Sequence, residues 1–465
     1  MNKDRIKEIL AQPARPAYFR RPHWTRRHFF QVLGAGVGAT FLAKEASAND
    51  SGTCTNQGMT TFNTAKNVIF ILMAGAPSHV DTFDFKMTNG VTPSQSAPAT
   101  VNGVLWPNGV LPNLGKMTDK FSVIRSAQAH ALVHSLSQTW VQIGRNPAAA
   151  LGNIAPNIGS IVALEKAVER QPGHVLPTFL ALNSAGAVGE GYLDATYAPF
   201  KVNPTQSGLP DTTNSYGQSR WSEMFGQLHT EDDPLRINSP LGKSADDMNN
   251  FYTAAQGLMY NPLVQNVFTY STADSQRYGN SGFGNALLVA KQALAANNGT
   301  RFVQVTVGGW DMHVDIYGAQ GARTNIYTLG NQFDSGVAAL LGDLQSAGML
   351  DSTLVVAMGE FGRTPNFTAA LGRDHYLNQF AFLAGGGVKG GRILGATDAT
   401  GATITDFGWS KNRPVNAEDI EATIYSAMGI DWTNICYNDP FHRGFEYVPQ
   451  SLGPDYYAPV AELFK

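Results

Sequence analysis

The chain lacks several features that mark common protein classes. Cysteine occurs only twice in 465 residues, which excludes a disulfide-rich scaffold and a cysteine-ligated metal cluster. Charged residues make up 15% of the sequence and the formal net charge is −3, so the basic surface that nucleic-acid binding requires is missing. No run approaches the ~20 apolar residues of a membrane-spanning helix. We therefore expect no membrane span in the mature chain and a small-molecule partner.

Two catalytic motifs are also missing. No Gly-x-Ser-x-Gly segment occurs, so the usual signature of a serine hydrolase is absent. The glycine-rich segment at residues 385–391 is not followed by a Lys-Ser or Lys-Thr pair that opens a helix. That segment is therefore not a P-loop.

The first 48 residues have the layout of a bacterial twin-arginine export signal. Arg26 and Arg27 precede a glycine-interrupted apolar run at residues 32–43, and the small-residue site Ala46-Ser47-Ala48 follows. An N-terminal anchor helix is the alternative, but the run is shorter than a membrane span. We expect cleavage after Ala48, export by the twin-arginine machinery and a periplasmic or secreted location. Because this route carries folded proteins, it favours a chain that first acquires a metal or partner.

The two cysteines lie near opposite ends of the predicted mature chain. Cys54 and Cys436 could form a disulfide in an oxidising periplasm. They could equally remain unpaired, because the sequence gives no distance between them.

Short apolar runs that end in polar loops indicate an α/β fold. Runs rich in β-branched residues predict buried strands, and helical periodicity at residues 333–344 predicts a crossover helix between two of them. We predict a doubly wound, mostly parallel central sheet with helices on both faces. The polar stretch at residues 201–276 is interpreted as an insertion or cap. The predicted strands are Asn67–Met73, Phe302–Val307, 354–358 and 380–383, and further helices are predicted at 284–297 and 417–428.

Carboxylates and imidazoles follow three of the predicted strands. Ligands bind outside the carboxyl ends of strands in such sheets, and Asp, Glu and His suit divalent ions such as Zn, Mn, Mg or Ca. For any single residue the ordinary alternative is a turn former or helix cap. The sequence predicts a divalent metal site with these candidate ligands: Asp81, Asp311, His313, Glu360, Asp374 and His375.

Three further residues are candidates for catalysis. Arg363 carries a planar charged fork that suits a phosphate, sulfate or carboxylate, although an ion pair with Glu360 or a neighbouring carboxylate is the alternative. His134 and Ser135 stand where a helix is expected to begin, a position that favours action on an anionic group. Ordinary N-capping by Ser135 beside a solvent-facing histidine is the alternative there.

Several of these segments together resemble domain-of-unknown-function family 1501, whose members are commonly exported by the twin-arginine route. The resemblance covers almost the whole mature chain and is carried by residues 75–84, 308–313 and 359–365 and by the pair Asp374-His375. The family in turn looks like a distant branch of the alkaline phosphatase and sulfatase superfamily. This implies an alkaline-phosphatase-like domain over residues 49–465 that holds one or two divalent metals at strand ends and attacks a phosphate or sulfate ester.

The resemblance assigns roles position by position. Asp81, or less readily Asp84, stands where the superfamily places its first-strand metal aspartate. Asp311 and His313 resemble the middle metal motif, with a shorter spacing than in the phosphatases. His375 resembles the late histidine motif of metal-dependent sugar-phosphate mutases and is the strongest single ligand candidate.

Two positions depart from the superfamily pattern. Glu360 and Phe361 stand where an Asp-His pair is usual, so one ligand is replaced. Sulfatases carry their nucleophilic cysteine or serine at the start of a helix that ends in Gly-Arg, and counting back from Gly144 places His134 there. Either Ser135 serves as the nucleophile, or His134 has become a ligand or acid/base, or covalent catalysis has been lost.

Two functions are compatible with these residues. The first is an exported metal-dependent hydrolase of phosphate or sulfate esters with a small-molecule or glycan substrate, in which Arg363 steadies the anion and His134 acts as general acid or base. The alternative is a non-catalytic periplasmic binding or assembly protein with a degenerate site. Phe361 and the missing nucleophile favour the alternative.

Overall fold

The computed structural model describes residues 54–55, 58–88, 91–236, 243–453 and 455–464. The predicted signal peptide at residues 1–48 lies outside the described residues. Within the described ranges, no helix combines the length and apolarity needed to cross a membrane.

An eight-stranded sheet forms the centre of the fold. Its strand order is β8-β2-β7-β6-β1-β5-β3-β4, and only β7 runs antiparallel to its neighbours. The strands are β1 (Asn67–Met73), β2 (Phe121–Gln128), β3 (Phe179–Leu182), β4 (Phe200–Val202), β5 (Phe302–Val307), β6 (Thr353–Met358), β7 (Asn378–Ala384) and β8 (Ile393–Leu394).

Helices cover both faces of this sheet. Alternate residues of β1 point to opposite faces, so Ile69 and Ile71 join one buried core while Val68 and Phe70 join the other. This confirms the predicted α/β architecture. The helices are α1 (His134–Ile143), α2 (Ile158–Glu165), α3 (Gly217–Arg236), α4 (Lys243–Leu258), α5 (Pro262–Phe268), α6 (Thr272–Arg277), α7 (Gly282–Ala295), α8 (Ile326–Ser346) and α9 (Ala417–Ala427).

Residues 201–276 are mostly helical. Lys201 and Val202 belong to the edge strand β4, and α3 to α6 follow. Pro98–Val101 and Val104–Pro107 form an antiparallel hairpin outside the central sheet.

Cys54 and Cys436 form a disulfide. They stand opposite each other on two short antiparallel strands, Cys54–Thr55 and Ile435–Cys436. The bridge joins residues that are 382 positions apart, so it ties the start of the described chain to its C-terminal region.

Candidate metal centre

Four of the predicted site residues converge at the carboxyl edge of the sheet. His134, Asp311, His313 and His375 each offer one ligand atom, and these atoms all lie within 4.8 Å of one another. We call these four residues the cluster. His134 is the first residue of α1, Asp311 and His313 lie in the loop after β5, and His375 begins the short strand His375–Tyr376.

A buried carboxylate orients the first imidazole. Nδ1 of His134 donates to Oε1 of Glu360 over 2.7 Å, because an ionised carboxylate can only accept. The same Oε1 accepts from the Gly75 backbone N–H and from Nε2 of Gln138, each at 2.9 Å. Nε2 of His134 is buried without a hydrogen-bond partner in the described part of the chain, 3.3 Å from Oδ1 of Asp311. A ring nitrogen and a carboxylate that face each other in this way suit a cation between them.

The second imidazole is anchored on its far side in the same manner. Nδ1 of His313 donates to Oδ1 of Asp374 over 2.9 Å. Nε2 of His313 accepts from Nη1 of Arg363 over 3.1 Å. Since a guanidinium can only donate, this Nε2 carries no proton, and Arg363 occupies the lone pair that a cation in the cluster would take.

The third imidazole is held by a backbone carbonyl. Nδ1 of His375 donates to the Leu132 carbonyl over 2.7 Å. Burial lowers the pKa of His375 and the charge of Arg363 adds to this effect, although the Leu132 hydrogen bond opposes it. Nε2 of the neutral ring lies 3.0 Å from Nε2 of His313, so two lone pairs face each other. A positive charge near both nitrogens relieves this repulsion; Arg363 supplies one at Nε2 of His313, and a cation in the cluster would supply another.

The donor set fits a divalent transition metal. Each histidine presents Nε2 to the cluster while an acceptor holds its Nδ1, which is the usual arrangement of metal-binding histidines. Tetrahedral ligand atoms about 2.1 Å from an ion lie roughly 3.4 Å apart. In the cluster, the distances from the three Nε2 atoms to Oδ1 of Asp311 and between Nε2 of His313 and Nε2 of His375 run from 3.0 to 3.9 Å. Three imidazoles and one carboxylate suit Zn²⁺ and related ions better than Mg²⁺ or Ca²⁺, which prefer oxygen.

Arg363 supplies a buried positive charge beside the cluster. Three of its donor contacts go to backbone carbonyls, and the others go to Nε2 of His313 and to Oδ1 of Asp311, the latter at 2.5 Å. Partial burial opposes ionisation of Asp311, but the hydrogen bond and charge of Arg363 lower the pKa of this carboxyl overall. The structure thus contains the ion pair that was the alternative to substrate binding, formed with Asp311 rather than with Glu360.

The charges around the cluster leave an excess of negative charge. Asp311, Glu360 and Asp374 contribute three carboxylates, whereas Arg363 is the cation in contact with the cluster. With the imidazoles neutral, a divalent ion balances this set. Glu360 and Asp374 are not in the cluster itself. They bind Nδ1 of His134 and Nδ1 of His313, the ring nitrogens that face away from the cluster.

Asp81 is held apart from the cluster. Its two carboxylate oxygens accept from Arg373 at 2.7 and 3.1 Å, from Ser78 at 2.5 Å and from Tyr317 at 2.6 Å. Burial opposes ionisation here, but the charge and hydrogen bonds of Arg373 lower the pKa of Asp81 overall. Both carboxylate oxygens of Asp81 are thus hydrogen-bonded to side chains of the protein, and neither belongs to the cluster.

Ser135 lies in the first turn of α1, next to His134. The N-cap of this helix is Val133, so the alternative that Ser135 caps it beside a solvent-facing histidine is wrong. The serine is exposed, and its hydroxyl forms no hydrogen bond within the described ranges.

Sequence reasoning did not identify two groups that shape the centre, and it considered Phe361 only as a replaced ligand. Gln138 lies four residues after His134, hence on the same helix face, and this spacing could have indicated its contact with Glu360. The Leu132 carbonyl carries no signal in the sequence. Phe361 is buried with its ring centroid 4.9 Å from that of His134 and 4.5 Å from that of His375, so it forms an apolar wall of the cluster.

The fold and the cluster together define an α/β protein with a candidate divalent-metal centre at the carboxyl edge of its sheet. The family model "Protein of unknown function (DUF1501)" matches residues 65–444, and the chain therefore belongs to that family. No curated protein matches the sequence significantly.

Among solved structures, the chain is similar to three hydrolases. For the PsFucS1 sulfatase from Pseudoalteromonas sp. the identity is 11% and the TM-score 0.35, covering 80% of this chain and 68% of that one. For the phosphonate monoester hydrolase SpPMH from Silicibacter pomeroyi the identity is 11% and the TM-score 0.38, and the match covers 86% of this chain and 77% of that one. For the alkaline phosphatase of the Antarctic bacterium TAB5 the identity is 15% and the TM-score 0.31, and the match covers 71% of this chain and 95% of that one.

Proposed function

We propose that the protein is an exported, metal-dependent hydrolase of phosphate or sulfate esters. One observation carries this proposal: three imidazole Nε2 atoms and one carboxylate oxygen lie within 4.8 Å of one another. Each imidazole is oriented from behind by a hydrogen-bond acceptor. A zinc-like divalent ion is the cofactor that this donor set favours.

Some residues of the centre would bind the metal, and others position the metal-binding side chains. A divalent cation supplies charge that polarises the oxygens of the bound ester. Glu360 and Asp374 hold two of the imidazoles in place, and Arg363 keeps Asp311 ionised. His134 is assigned to metal binding because its Nε2 belongs to the cluster and is buried without a hydrogen-bond partner among the described residues, while Glu360 holds its Nδ1.

The nucleophile in this proposal is Ser135 or a water molecule. Ser135 is exposed beside His134 in the first turn of α1. The backbone N–H groups of that turn and the helix dipole favour an anionic ester at the same place. A substitution of Ser135 separates the two possibilities, because attack by water survives its replacement by alanine.

The proposal includes export through the twin-arginine route. The pair Arg26 and Arg27 supports it at the level of sequence. The disulfide between Cys54 and Cys436 supports it independently, because such bridges persist in oxidising compartments. Replacing both arginines by lysine should leave the protein in the cytoplasm, and cell fractionation with wild type as the control measures this.

A non-catalytic binding or assembly role is the second candidate. The observation that favours it is that Arg363 already contacts two members of the cluster, Asp311 and His313. Partial neutralisation by an arginine is what a decayed metal site would show.

One experiment separates the two candidates. The protein is purified without chelator, and its metal content is measured together with hydrolysis of para-nitrophenyl phosphate and sulfate, before and after chelation. The variants are Asp311→Ala and His375→Ala. His130→Ala is the matched control, because His130 pairs with Glu418 outside the cluster.

The hydrolase proposal expects bound metal and ester turnover, with both lost in the two cluster variants and retained in the control. Circular dichroism confirms that each variant is folded. A folded wild-type protein without metal and without turnover contradicts it and favours the non-catalytic role. Unchanged metal content and turnover in both cluster variants would place the site elsewhere.

A further inference from the structure

Large apolar side chains are exposed on the surface around the cluster. Five of them are adjacent in the chain to the cluster residues or within a few positions of them, and we call this set the apolar rim. Its members and their exposed fractions are Leu132 (38%), Val133 (58%), Val314 (59%), Leu371 (42%) and Leu377 (37%).

One side of the rim belongs to the segment that leads into α1. Leu132 and Val133 immediately precede His134, and consecutive Cα atoms are about 3.8 Å apart. The Leu132 carbonyl also accepts from Nδ1 of His375. The backbone that carries these two side chains is therefore held by a contact that also builds the cluster.

The other side of the rim comes from the loops that carry the remaining ligands. Val314 immediately follows His313 and pairs with Leu371 in an antiparallel bridge. Leu377 follows the strand His375–Tyr376, and its carbonyl accepts from the Ala129 backbone N–H. Apolar residues thus flank the ligands from three separate stretches of the chain.

Single exposed apolar residues are common, but several that flank one site from separate stretches of the chain favour a binding surface. The two arginines beside the cluster give their donors to the protein: Arg363 to the groups described above, and Arg373 to Asp81 and two backbone carbonyls. Neither is free to hold a second anionic group of a substrate.

We infer that the substrate is an amphiphilic monoester, with an anionic phosphate or sulfate head at the cluster and a hydrocarbon alcohol part lying on the apolar rim. This inference rests on the proposed function and narrows its substrate class.

The test compares linear alkyl phosphates and alkyl sulfates from ethyl to octyl, each below its micelle concentration. Their leaving alcohols differ little in acidity, so a change in kcat/KM reports contact with the hydrocarbon. Full burial of one methylene corresponds to roughly a fourfold gain, and we expect about two- to fourfold per added methylene up to the length that the rim covers. Val133→Ser and Val314→Ser should flatten this gradient.

Val168→Ser is the matched control. Val168 is 76% exposed, on the short helix Ala167–Glu169. Glu169 pairs with Arg301, which directly precedes β5, so this valine lies at the opposite edge of the sheet from the cluster. The control variant should keep the wild-type gradient, and an equal loss in Val168→Ser would overturn the inference.

A binding measurement without turnover completes the test. Octylphosphonic acid and methylphosphonic acid have no ester bond, and calorimetry compares their affinities for wild type and for Val133→Ser. Metal-dependent hydrolysis without dependence on chain length overturns the rim inference while the hydrolase proposal stands. Tighter binding of the octyl compound that is lost in Val133→Ser, without hydrolysis of any ester, supports the rim and contradicts the hydrolase.

Discussion

Replacing Glu360 with glutamine should weaken metal binding while leaving all four cluster residues in place. The glutamine has nearly the same shape but loses the charge that fixes the His134 Nδ1 proton and ring orientation. Loss of such a supporting partner typically costs 10–100-fold in metal affinity, about 1.4–2.8 kcal/mol.

The same substitution should lower the free energy of unfolding. Oε2 of Glu360 is buried and accepts no hydrogen bond from the described residues. In the glutamine variant an amide N–H at this position would be buried without a hydrogen-bond acceptor. We expect a cost of about 1–3 kcal/mol. Urea unfolding in chelator measures this part separately from metal affinity.

Two controls make the prediction specific. Glu418→Gln disturbs a buried carboxylate that pairs with His130 and Trp140 outside the cluster, and it should change stability but not metal affinity. Asp374→Asn should weaken metal binding less than Glu360→Gln, because the Asp374 side chain is 64% exposed and water replaces part of its role. Competition with a chelating dye gives the affinities. An unchanged affinity in Glu360→Gln would refute the reasoning.

Three further predictions concern stability, each read from urea unfolding. Cys436→Ser should lower the free energy of unfolding by about 2–5 kcal/mol, and an unchanged midpoint would contradict the structural role of the bridge. Asp81→Asn leaves Arg373 buried without its partner and should cost about 3–5 kcal/mol at neutral pH. Since the folded pKa of Asp81 is lowered, its contribution is present above about pH 4 and lost as pH falls further, so the variant should show a shallower acid dependence; an equal slope would contradict this. Gly144→Ala should cost about 1–3 kcal/mol, because the residue has φ +56° and a Cβ there collides with the buried Glu421 carboxylate; a neutral effect would contradict the packing.

The strands of the sheet centre could be predicted closely because their physical signal is local. β1 is buried on both faces and appears as an almost continuous apolar run, and β5 is a run of Phe and Val residues interrupted by Gln304 and Thr306; both have the bounds that the structure has. The direction of β7 could not be predicted in this way. A buried strand has the same apolar sequence pattern whether it is parallel or antiparallel to its neighbours. The direction of the strand depends on how the chain connects it to those neighbours.

The candidate site was harder to predict because its contacts join distant parts of the chain. Asp311 and His313 follow β5 directly, so their place at the sheet edge was readable. Whether Asp81 faces a cation or Arg373 depends on a contact across 292 residues. Glu360 lies behind His134 because of a contact across 226 residues, which neither loop indicates alone.

The most direct test of the central claim is X-ray absorption at the zinc edge on the full chain after dialysis against Zn²⁺. The proposed centre predicts one ion per chain with a shell of nitrogen and oxygen at about 2.0–2.1 Å and the multiple scattering of imidazole rings. The same measurement on His313→Ala should show the ion lost. Absence of bound zinc in the wild type, or a shell made of oxygen alone, would contradict the claim that these three histidines and Asp311 form a metal site.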